Sequence, residues 1–329
     1  MKRYLIALFL LCFLLTGPLL SATVAYADRI KDASLNLNLG YRVDQLDWNI
    51  ANNTSGGSPN VLSELTWKDL KIFEMSLDGF LEVGNENFTH LSTVVKTHIG
   101  YGQSTSGNNQ DSDYAGDNRT LEFSRSYADS EAQTLDLSVA LGLKFPLGKS
   151  GFHLTPLLGY SYQRQDLRDT HGNQVISDQA NLSVLYPSDV VPPLGPFPGL
   201  NSSYDAHWYG PWLGLDSDYV VNDRLKLTGG VEYHLANYSG KADWNLRGDF
   251  DHPLSFRQDA TGSGILATLG VEYGFAAHWS LRLSGNYQVW NTGHGSHRAF
   301  LAAGGTESTR FNEVNWESYA LQTGVSYRF

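Results

Sequence analysis

Side chains near the end of the chain alternate between two kinds. Aromatic or largely apolar residues occupy every second position from Tyr319 to Phe329, and small or polar residues such as Gln322 and Ser326 lie between them. Because successive side chains of a β-strand point to opposite faces, this pattern predicts a strand with one apolar and one polar face. Such a strand must pair along both sides or leave a sheet edge open, and this constrains the fold of every other segment.

The first 27 residues have the pattern of a secretory signal peptide. Lys2 and Arg3 precede an apolar run over 4–15, and an Ala-Tyr-Ala cleavage site ends at Ala27. An uncleaved anchor helix is the alternative, but the apolar run is too short to span a bilayer comfortably. We therefore expect a mature chain of residues 28–329. The single cysteine, Cys12, lies in the signal peptide, so we expect neither disulfides nor a cysteine metal site.

Alternation with a period of two continues through the mature chain. It predicts ten strands: 34–50, one within 60–84, 88–103, 134–147, 152–168, 204–221, 225–244, 265–275, 279–290 and 314–329. Short turns, including the one at 85–87, alternate with five long connections: 51–59, 104–133, 169–203, 245–264 and 291–313. Short periplasmic turns and long external loops are typical of up-and-down barrels of the outer membrane.

These features predict an all-β fold. The predicted fold is a ten-stranded antiparallel up-and-down transmembrane β-barrel with long external loops, in the outer membrane of a Gram-negative-type bacterium. We expect the loops to be extracellular and outer-membrane lipid to surround the apolar face. The formal net charge is −11, and −13 once Lys2 and Arg3 are removed. A nucleic-acid partner is not expected, because nucleic acid favours a basic surface.

The predicted inward face carries bulky and charged residues. They are Arg42, Lys226, Glu232, His234, Glu272, Arg282, Gln288 and Arg328. Barrels of about 8 strands are filled by side chains, whereas porins with an aqueous channel use about 16–18 strands. Ten strands therefore predict a narrow or plugged lumen, and a wide general pore is not expected.

Three short segments resemble the omptins, a family of ten-stranded outer-membrane endopeptidases. Segment 62–68, Leu-Ser-Glu-Leu-Thr-Trp-Lys, is similar to their S-x-L-x-W-K signature, and segments 210–215 and 238–240 are similar to omptin segments at the same places. The order of strands and loops agrees along nearly the whole mature chain. The resemblance implies the barrel more strongly than the activity, because one fold hosts many functions.

Omptins carry two acidic residues in the second external loop and an Asp-x-His pair in the fourth, which together activate the water that attacks a peptide bond. Asp111 and Asp113, followed by Tyr114, match the first pair. A spacing of two in extended backbone places both carboxylates on one face, where like charges raise one pKa and favour a shared proton. A solvated acidic loop without chemistry is the alternative.

A third interpretation of the second loop includes Asp117. Asp111, Asp113 and Asp117 form a D-x-D-x-x-G-D pattern, which could offer hard oxygen ligands to a calcium ion. Calcium is the only cofactor that the sequence indicates.

The fourth loop departs from the omptin pattern. It reads Arg-Gly-Asp-Phe-Asp-His-Pro over 247–253, so Asp251 directly precedes His252 and no Asp-x-His is present. Neighbouring side chains of an extended chain point to opposite faces, which is poor geometry for a carboxylate that orients its histidine. Asp111, Asp113, Asp251 and His252 remain the candidate catalytic residues.

Two functions are compatible with these residues. The first is a non-enzymatic barrel of omptin-like architecture, acting as a narrow channel, an adhesin or a structural protein. The second is an omptin-like endopeptidase that cleaves basic peptides at the extracellular mouth with a water activated by Asp and His. The altered fourth loop favours the first.

Overall fold

Ten long β-strands make up most of the chain. The computed structural model describes residues 29–84, 91–148 and 151–329, so the predicted signal peptide of residues 1–27 and the turn at 85–87 lie outside it. The long strands are β1 (Ile30–Ile50), β2 (Ser63–Gly84), β3 (Ser92–Gly116), β4 (Thr120–Pro146), β5 (Phe152–Ser177), β7 (Asn201–Asn222), β8 (Leu225–Asp243), β9 (Phe256–Ala276), β10 (Trp279–Thr292) and β12 (Thr306–Arg328).

Each long strand pairs antiparallel with its neighbour, and the last long strand pairs with the first. The β1–β12 ladder runs from Ser34 opposite Arg328 to Ile50 opposite Phe311. The predicted ten-stranded antiparallel up-and-down architecture is therefore confirmed, and the ring of ten strands has no open edge. We call the end that carries the short connections, such as 277–278, the turn end, and the opposite end the loop end.

Three short elements lie near the loop end. Strand β6 (Gly195–Pro196) pairs with β5, and β11 (Gly295–Phe300) pairs with both β9 and β12. Helix α1 (Gln179–Leu182) begins after Asp178, whose side chain accepts a hydrogen bond from the backbone N–H of Asn181 at 3.0 Å. Within the described ranges, no helix is long and apolar enough to cross a membrane.

The strands extend further toward the loop end than the sequence predicted. β3 continues to Gly116 and β4 starts at Thr120, with only the 3-10 turn Asp117–Arg119 between them. The predicted long loop at 104–133 is thus mostly a β-ribbon, and much of 256–264 and 306–313 is also strand. The prediction was wrong there because Ser, Asn, Gln and Asp occupy both faces, so no apolar alternation reveals the strand.

Apolar side chains form an exposed belt around the outside of the sheet. Apolar alternation along the predicted strands assigns nine residues to the lipid face, Tyr327 among them, and the other eight are exposed: Leu35, Leu37, Leu39, Val231, Tyr233, Leu281, Leu283 and Val325. Tyr327 is half-buried, because its ring packs against Trp279 with centroids 4.8 Å apart. The alternation that predicted the outward face is therefore confirmed by the positions of these side chains.

The interior differs between the two ends. Toward the turn end it contains a cavity of about 330 Å³, whose lining includes the predicted inward residues Arg42, Lys226, Glu232, His234, Glu272, Arg282 and Gln288. Arg328, also predicted to point inward, is half-exposed beside Asp32, with 3.2 Å between Nε and Oδ1. Toward the loop end, rings fill the interior, and we call this set the aromatic layer: Trp48, Trp67, Tyr204, Trp208, Tyr238, Trp290, Phe311 and Trp316.

The two faces of β8 allow a direct test of the belt. Val231 points outward and is exposed, whereas Thr228 lines the cavity. Val231→Arg should lower the free energy of unfolding by about 2–4 kcal/mol, because it places a charge at mid-membrane depth. Thr228→Arg is the matched control and should cost less, since it meets a polar interior. Chemical unfolding in lipid vesicles measures both, and equal losses at the two positions would contradict the assignment of faces.

Candidate functional site

The two candidate acidic residues lie on one strand at the loop end. Asp113 pairs with Ser63 and Asp111 pairs with Leu65, while the next inward pair joins Asn109 to Trp67 of the aromatic layer. Cross-strand partners share a face of the sheet, so both carboxylates point inward, one level above the aromatic layer. The sequence predicted a loop at this position. The common face of Asp111 and Asp113 was nevertheless predicted, because residues two apart in extended backbone point to the same side.

Burial raises the pKa of both carboxyl groups. For Asp111, desolvation is the largest cause and repulsion by Asp113 the next, while attraction by Arg247 acts in the opposite direction. For Asp113, desolvation also raises the pKa, against hydrogen bonds from Ser63 and Ser124 and the attraction of Arg247. Asp111 Oδ1 is buried without a hydrogen-bond partner among the described residues. Such a pair favours a shared proton.

The fourth loop, residues 244–255 in the structure, brings an arginine toward this pair. Arg247 donates two hydrogen bonds to Asp249, at 2.8 and 2.7 Å. Its guanidinium carbon lies 4.5 Å from the ring centre of Phe250, which packs against the buried core. No sequence pattern pointed to Arg247, because its approach to Asp111 and Asp113 depends on how the loop folds over the barrel.

His252 has a different carboxylate partner from the one predicted. Its Nδ1 lies 2.6 Å from Oδ1 of Asp243, the last residue of β8, and the two side chains are 39% and 31% exposed. Asp243 is the main cause of the raised pKa of His252. Asp251 instead accepts a hydrogen bond from the backbone N–H of His252 at 2.8 Å. No sequence pattern pointed to Asp243, because the start of the fourth loop separates it from His252.

The structure thus groups the candidate residues in two sets. Asp111 and Asp113 lie together and interact with Arg247, and His252 lies with Asp243. The two sets meet at Arg247, because His252 donates a hydrogen bond to the backbone of Arg247. The catalytic role of Asp111, Asp113, Asp251 and His252 stays a prediction.

Asp117 lies in the 3-10 turn that joins β3 to β4. Its Oδ1 accepts a hydrogen bond from the backbone N–H of Asn60 at 2.8 Å. In the part of the chain that the structure describes, no group of three or more His, Cys, Asp or Glu side chains is arranged to hold a metal ion. Calcium binding by Asp111, Asp113 and Asp117 stays a prediction.

The rings of the aromatic layer pack directly against one another. Trp290 and Trp316 stack with centroids 5.6 Å apart, and Trp208 lies 5.7 and 6.2 Å from them. Trp67 stacks on Tyr204 at 5.1 Å. These rings come from β2, β7, β10 and β12, so they meet from several sides of the barrel. The sequence predicted Trp67, Trp208 and Trp316 to be aromatics of the membrane interface or of the barrel packing, but not that they meet in one layer, since their meeting depends on the register of distant strands.

The buried acidic pair predicts a specific dependence of stability on pH. Because the folded-state pKa of Asp111 is raised, its contribution to stability is full below the unfolded pKa and is lost as the pH rises through the folded value. Asp111→Asn cannot ionise and should remove much of that loss. At pH 7 the variant should exceed the wild type in free energy of unfolding by on the order of 1 kcal/mol.

Guanidinium unfolding at pH 4 and pH 7 measures this effect. Asp189→Asn, in the exposed third loop, is the matched control and should show no comparable gain at pH 7. A wild-type stability that rises between these two pH values through Asp111 would contradict the inferred burial of its charge.

The chain is similar to known outer-membrane proteins. Residues 36–329 match the family model of the Protochlamydia outer membrane protein, Pom. The outer membrane protease OmpT from Escherichia coli is 14% identical, with 91% of this chain and 97% of that chain covered and a TM-score of 0.70. The outer membrane protein OprG from Pseudomonas aeruginosa is 13% identical, with 92% and 97% covered and a TM-score of 0.33. No curated protein matches this sequence.

The likeness to OmpT concerns the fold alone, because identity is low. It confirms the omptin-like barrel that the sequence predicted. The family match begins within β1 and continues past the end of β12, so it includes all ten long strands except the first residues of β1. The chain is an outer-membrane β-barrel that belongs to the Protochlamydia outer membrane protein family.

Proposed function

We propose that this chain is a non-enzymatic structural barrel of the outer membrane with a closed lumen. The observation that carries the proposal is the aromatic layer, in which Trp67, Trp208, Trp290 and Trp316 are all buried to 1% exposure or less. Of the non-enzymatic functions that the sequence allowed, a narrow channel is the least compatible with this packing, since indole rings occupy the path that a solute would take.

The origin of the rings supports a permanent closure. Trp67 belongs to β2, Trp208 to β7, and Trp290 and Trp316 to β10 and β12. A gate that opens as one body needs its blocking side chains on one loop or segment. These indole side chains instead belong to four different strands of the closed sheet. Aromatic side chains bury about 150–250 Å² each, so withdrawing several together would expose a large apolar area.

The charges below the layer also support a structural interior. Arg42 is 2% exposed and contacts Asp44, Glu74 and Asp136 at 2.7, 3.1 and 2.6 Å. Lys226 contacts Glu272 at 2.7 Å across β8 and β9. A buried charge must be paired and hydrogen-bonded to be tolerated, and the Arg42–Asp136 pair connects β1 with β4. These pairs stabilise the barrel rather than line a selective path.

The strands beyond the apolar belt support a role for the loop end. β3 and β4 stay paired, through two register shifts, up to the turn at Asp117–Arg119, and β11 adds a further paired segment between β9 and β12. We propose that the loop end faces the extracellular medium and that lipid surrounds the belt, as in other outer-membrane barrels. The protein then presents a rigid β-structured platform at the cell surface.

Electrical recording tests the closure. Purified protein inserted in planar lipid bilayers should show no steady conductance, because the aromatic layer leaves no water-filled path. Trp208→Ala with Trp316→Ala should create conducting events by removing two adjoining indoles. Trp279→Ala, at an exposed turn-end position, is the control and should stay silent. Regular conductance steps from the wild-type barrel would overturn the proposal.

The alternative function is an endopeptidase for basic peptides. The acidic pair with its raised pKa at the loop end is the observation that favours it, because two carboxyl groups that share a proton can hold a water as a base. The pairing of His252 with Asp243, 2.6 Å apart, also favours it, because it supplies a carboxylate that can orient a general-base histidine. Arg247, by contrast, would repel a lysine or arginine side chain approaching the pair.

A cleavage assay separates the two functions. Folded protein in vesicles should leave fluorogenic peptides with lysine or arginine at the test bond intact. If cleavage occurs and is lost in Asp111→Asn, Asp113→Asn and His252→Ala, while Asp189→Asn retains it, the endopeptidase replaces the structural barrel as the function.

A further inference from the structure

Four buried side chains on the inner face of β4 and β5 each have an oxygen without a hydrogen-bond partner. Thr134 pairs with Gln165 and Asp136 pairs with Gln163, so the four form two adjacent cross-strand pairs. Their exposed fractions lie between 1% and 9%. The oxygens without a partner among the described residues are Thr134 Oγ1, Asp136 Oδ1, Gln163 Oε1 and Gln165 Oε1. We call these four residues the oxygen square.

The oxygens of the square are close enough to share one small occupant. Side chains directly opposite each other in an antiparallel pair have Cβ atoms about 4.5–5.5 Å apart. The orientation of one amide is fixed, because Gln165 Nε2 donates a hydrogen bond to Asp44 Oδ2 at 3.0 Å and Oε1 is the atom that remains. A buried acceptor without a partner is costly. The square therefore favours an occupant that is electron-poor, a hydrogen-bond donor or a cation.

The charges beside the oxygen square favour a cation. Arg42 contacts Asp44, Glu74 and Asp136 at 2.7, 3.1 and 2.6 Å, and all four side chains are buried. With every group ionised, one positive and three negative charges leave a net charge of −2. Buried charge is tolerated only when it is paired. A positive charge bound next to Asp136 would balance the excess.

A water molecule and a proton each satisfy only part of the square. A water donates two hydrogen bonds, so it reaches at most two of the four oxygens and leaves the charge unchanged. A proton on Asp136 would satisfy its own oxygen and that of Gln163 opposite. It would leave the other two oxygens without a partner and one negative charge in excess. His98 of β3 does not balance that charge, because it is paired with Asp78 at 2.7 Å.

The interior cavity connects with the oxygen square. Asp136 and Gln163 line the cavity of about 330 Å³. Thr134 and Gln165 form the next pair toward the loop end, between the cavity and the aromatic layer. Because a water takes about 30 Å³ in the liquid, the cavity has room for waters that complete a coordination shell. An ion can therefore approach the square from the cavity side.

We propose that the oxygen square binds a calcium ion. Calcium takes about 6–8 oxygen ligands, among them carboxylates, amide carbonyls and waters. Asp136 supplies a carboxylate oxygen, Gln163 and Gln165 supply amide oxygens, and the hydroxyl of Thr134 adds a neutral oxygen beside them. The two positive charges of the ion equal the negative excess around Arg42.

This site is separate from the calcium site that the sequence predicts in the second loop. It lies below the aromatic layer, and only one of its four residues is acidic. It goes beyond the proposed structural role and does not rest on it, because an ion beside the cavity is compatible with an open or a closed lumen. The ion joins β4 and β5 to the carboxylates around Arg42 of β1, so it should stabilise the barrel.

Calcium titration of the purified full barrel in a non-ionic detergent tests the site. After treatment with a chelator, and in a constant excess of sodium chloride, equilibrium dialysis should show one bound calcium per chain. The expected Kd is about 10⁻⁴–10⁻³ M, as in extracellular calcium modules. Saturating calcium should raise the midpoint of thermal unfolding, because the ion binds the folded state.

Gln163→Met is the variant that separates binding from folding. It removes one unpartnered oxygen and keeps the contact of Asp136 with Arg42. Calcium affinity should fall at least about ten-fold, a loss typical of altered residues at a metal site, and most of the shift in the unfolding midpoint should disappear. Without calcium, the variant should be at least as stable as the wild type, because it buries no unpartnered amide.

Gln288→Met is the matched control. Gln288 lines the same cavity from β10, and its Oε1 accepts a hydrogen bond from Trp290 Nε1 at 3.0 Å, so its loss should leave calcium binding unchanged. Heat-modifiable mobility on gels confirms that each variant is folded. A calcium response that Asp117→Asn loses and Gln163→Met keeps would place the ion in the second loop and overturn the proposal. Equal calcium binding by wild type and Gln163→Met, or no calcium binding at all, would overturn it as well.

Discussion

Pairing of β1 with β12 is the contact on which the rest of the structure depends. A bilayer offers no water to satisfy backbone N–H and C=O groups, so a sheet can cross it only when every edge is paired. The ladder from Ser34–Arg328 to Ile50–Phe311 provides that closure. Once the ring is closed, alternation assigns each side chain to lipid or interior. The apolar belt, the cavity and the aromatic layer all follow from that division.

The interior shows how a ten-stranded ring can be filled without an apolar core along its whole length. Near the turn end, charges such as Arg42 and Glu74 are paired around a small polar cavity. Nearer the loop end, indole and phenol rings such as Trp208 and Tyr238 pack together at 4.6 Å. Large rings fill volume from every side, which a narrow barrel needs if it is to stay closed. The acidic pair and Arg247 then lie above this packing, where burial raises the pKa values of Asp111 and Asp113.

The strands of the apolar belt could be predicted from the sequence, whereas the strands at the loop end could not. Residues such as Leu37 and Val231 alternate with polar neighbours, so the strands of the belt could be recognised. Segment 104–133 has polar residues on both faces, and only pairing with the neighbouring strands shows that it is extended. The position of the acidic pair on one face was predictable from its spacing. The contacts of Arg247 and of His252 with Asp243 were not, because they depend on how the fourth loop folds.

Thiol labelling tests the central claim, that the aromatic layer separates the cavity from the outside. We predict that the only cysteine, Cys12, is removed with the signal peptide, so single introduced cysteines can be read without background. Ser284→Cys lies in the cavity and Ser188→Cys in the exposed third loop. In vesicles that hold the protein with its loop end outward, a small charged maleimide that cannot cross lipid should label Ser188→Cys and leave Ser284→Cys unlabelled until the vesicles are disrupted. Labelling of Ser284→Cys from outside intact vesicles would contradict a closed barrel.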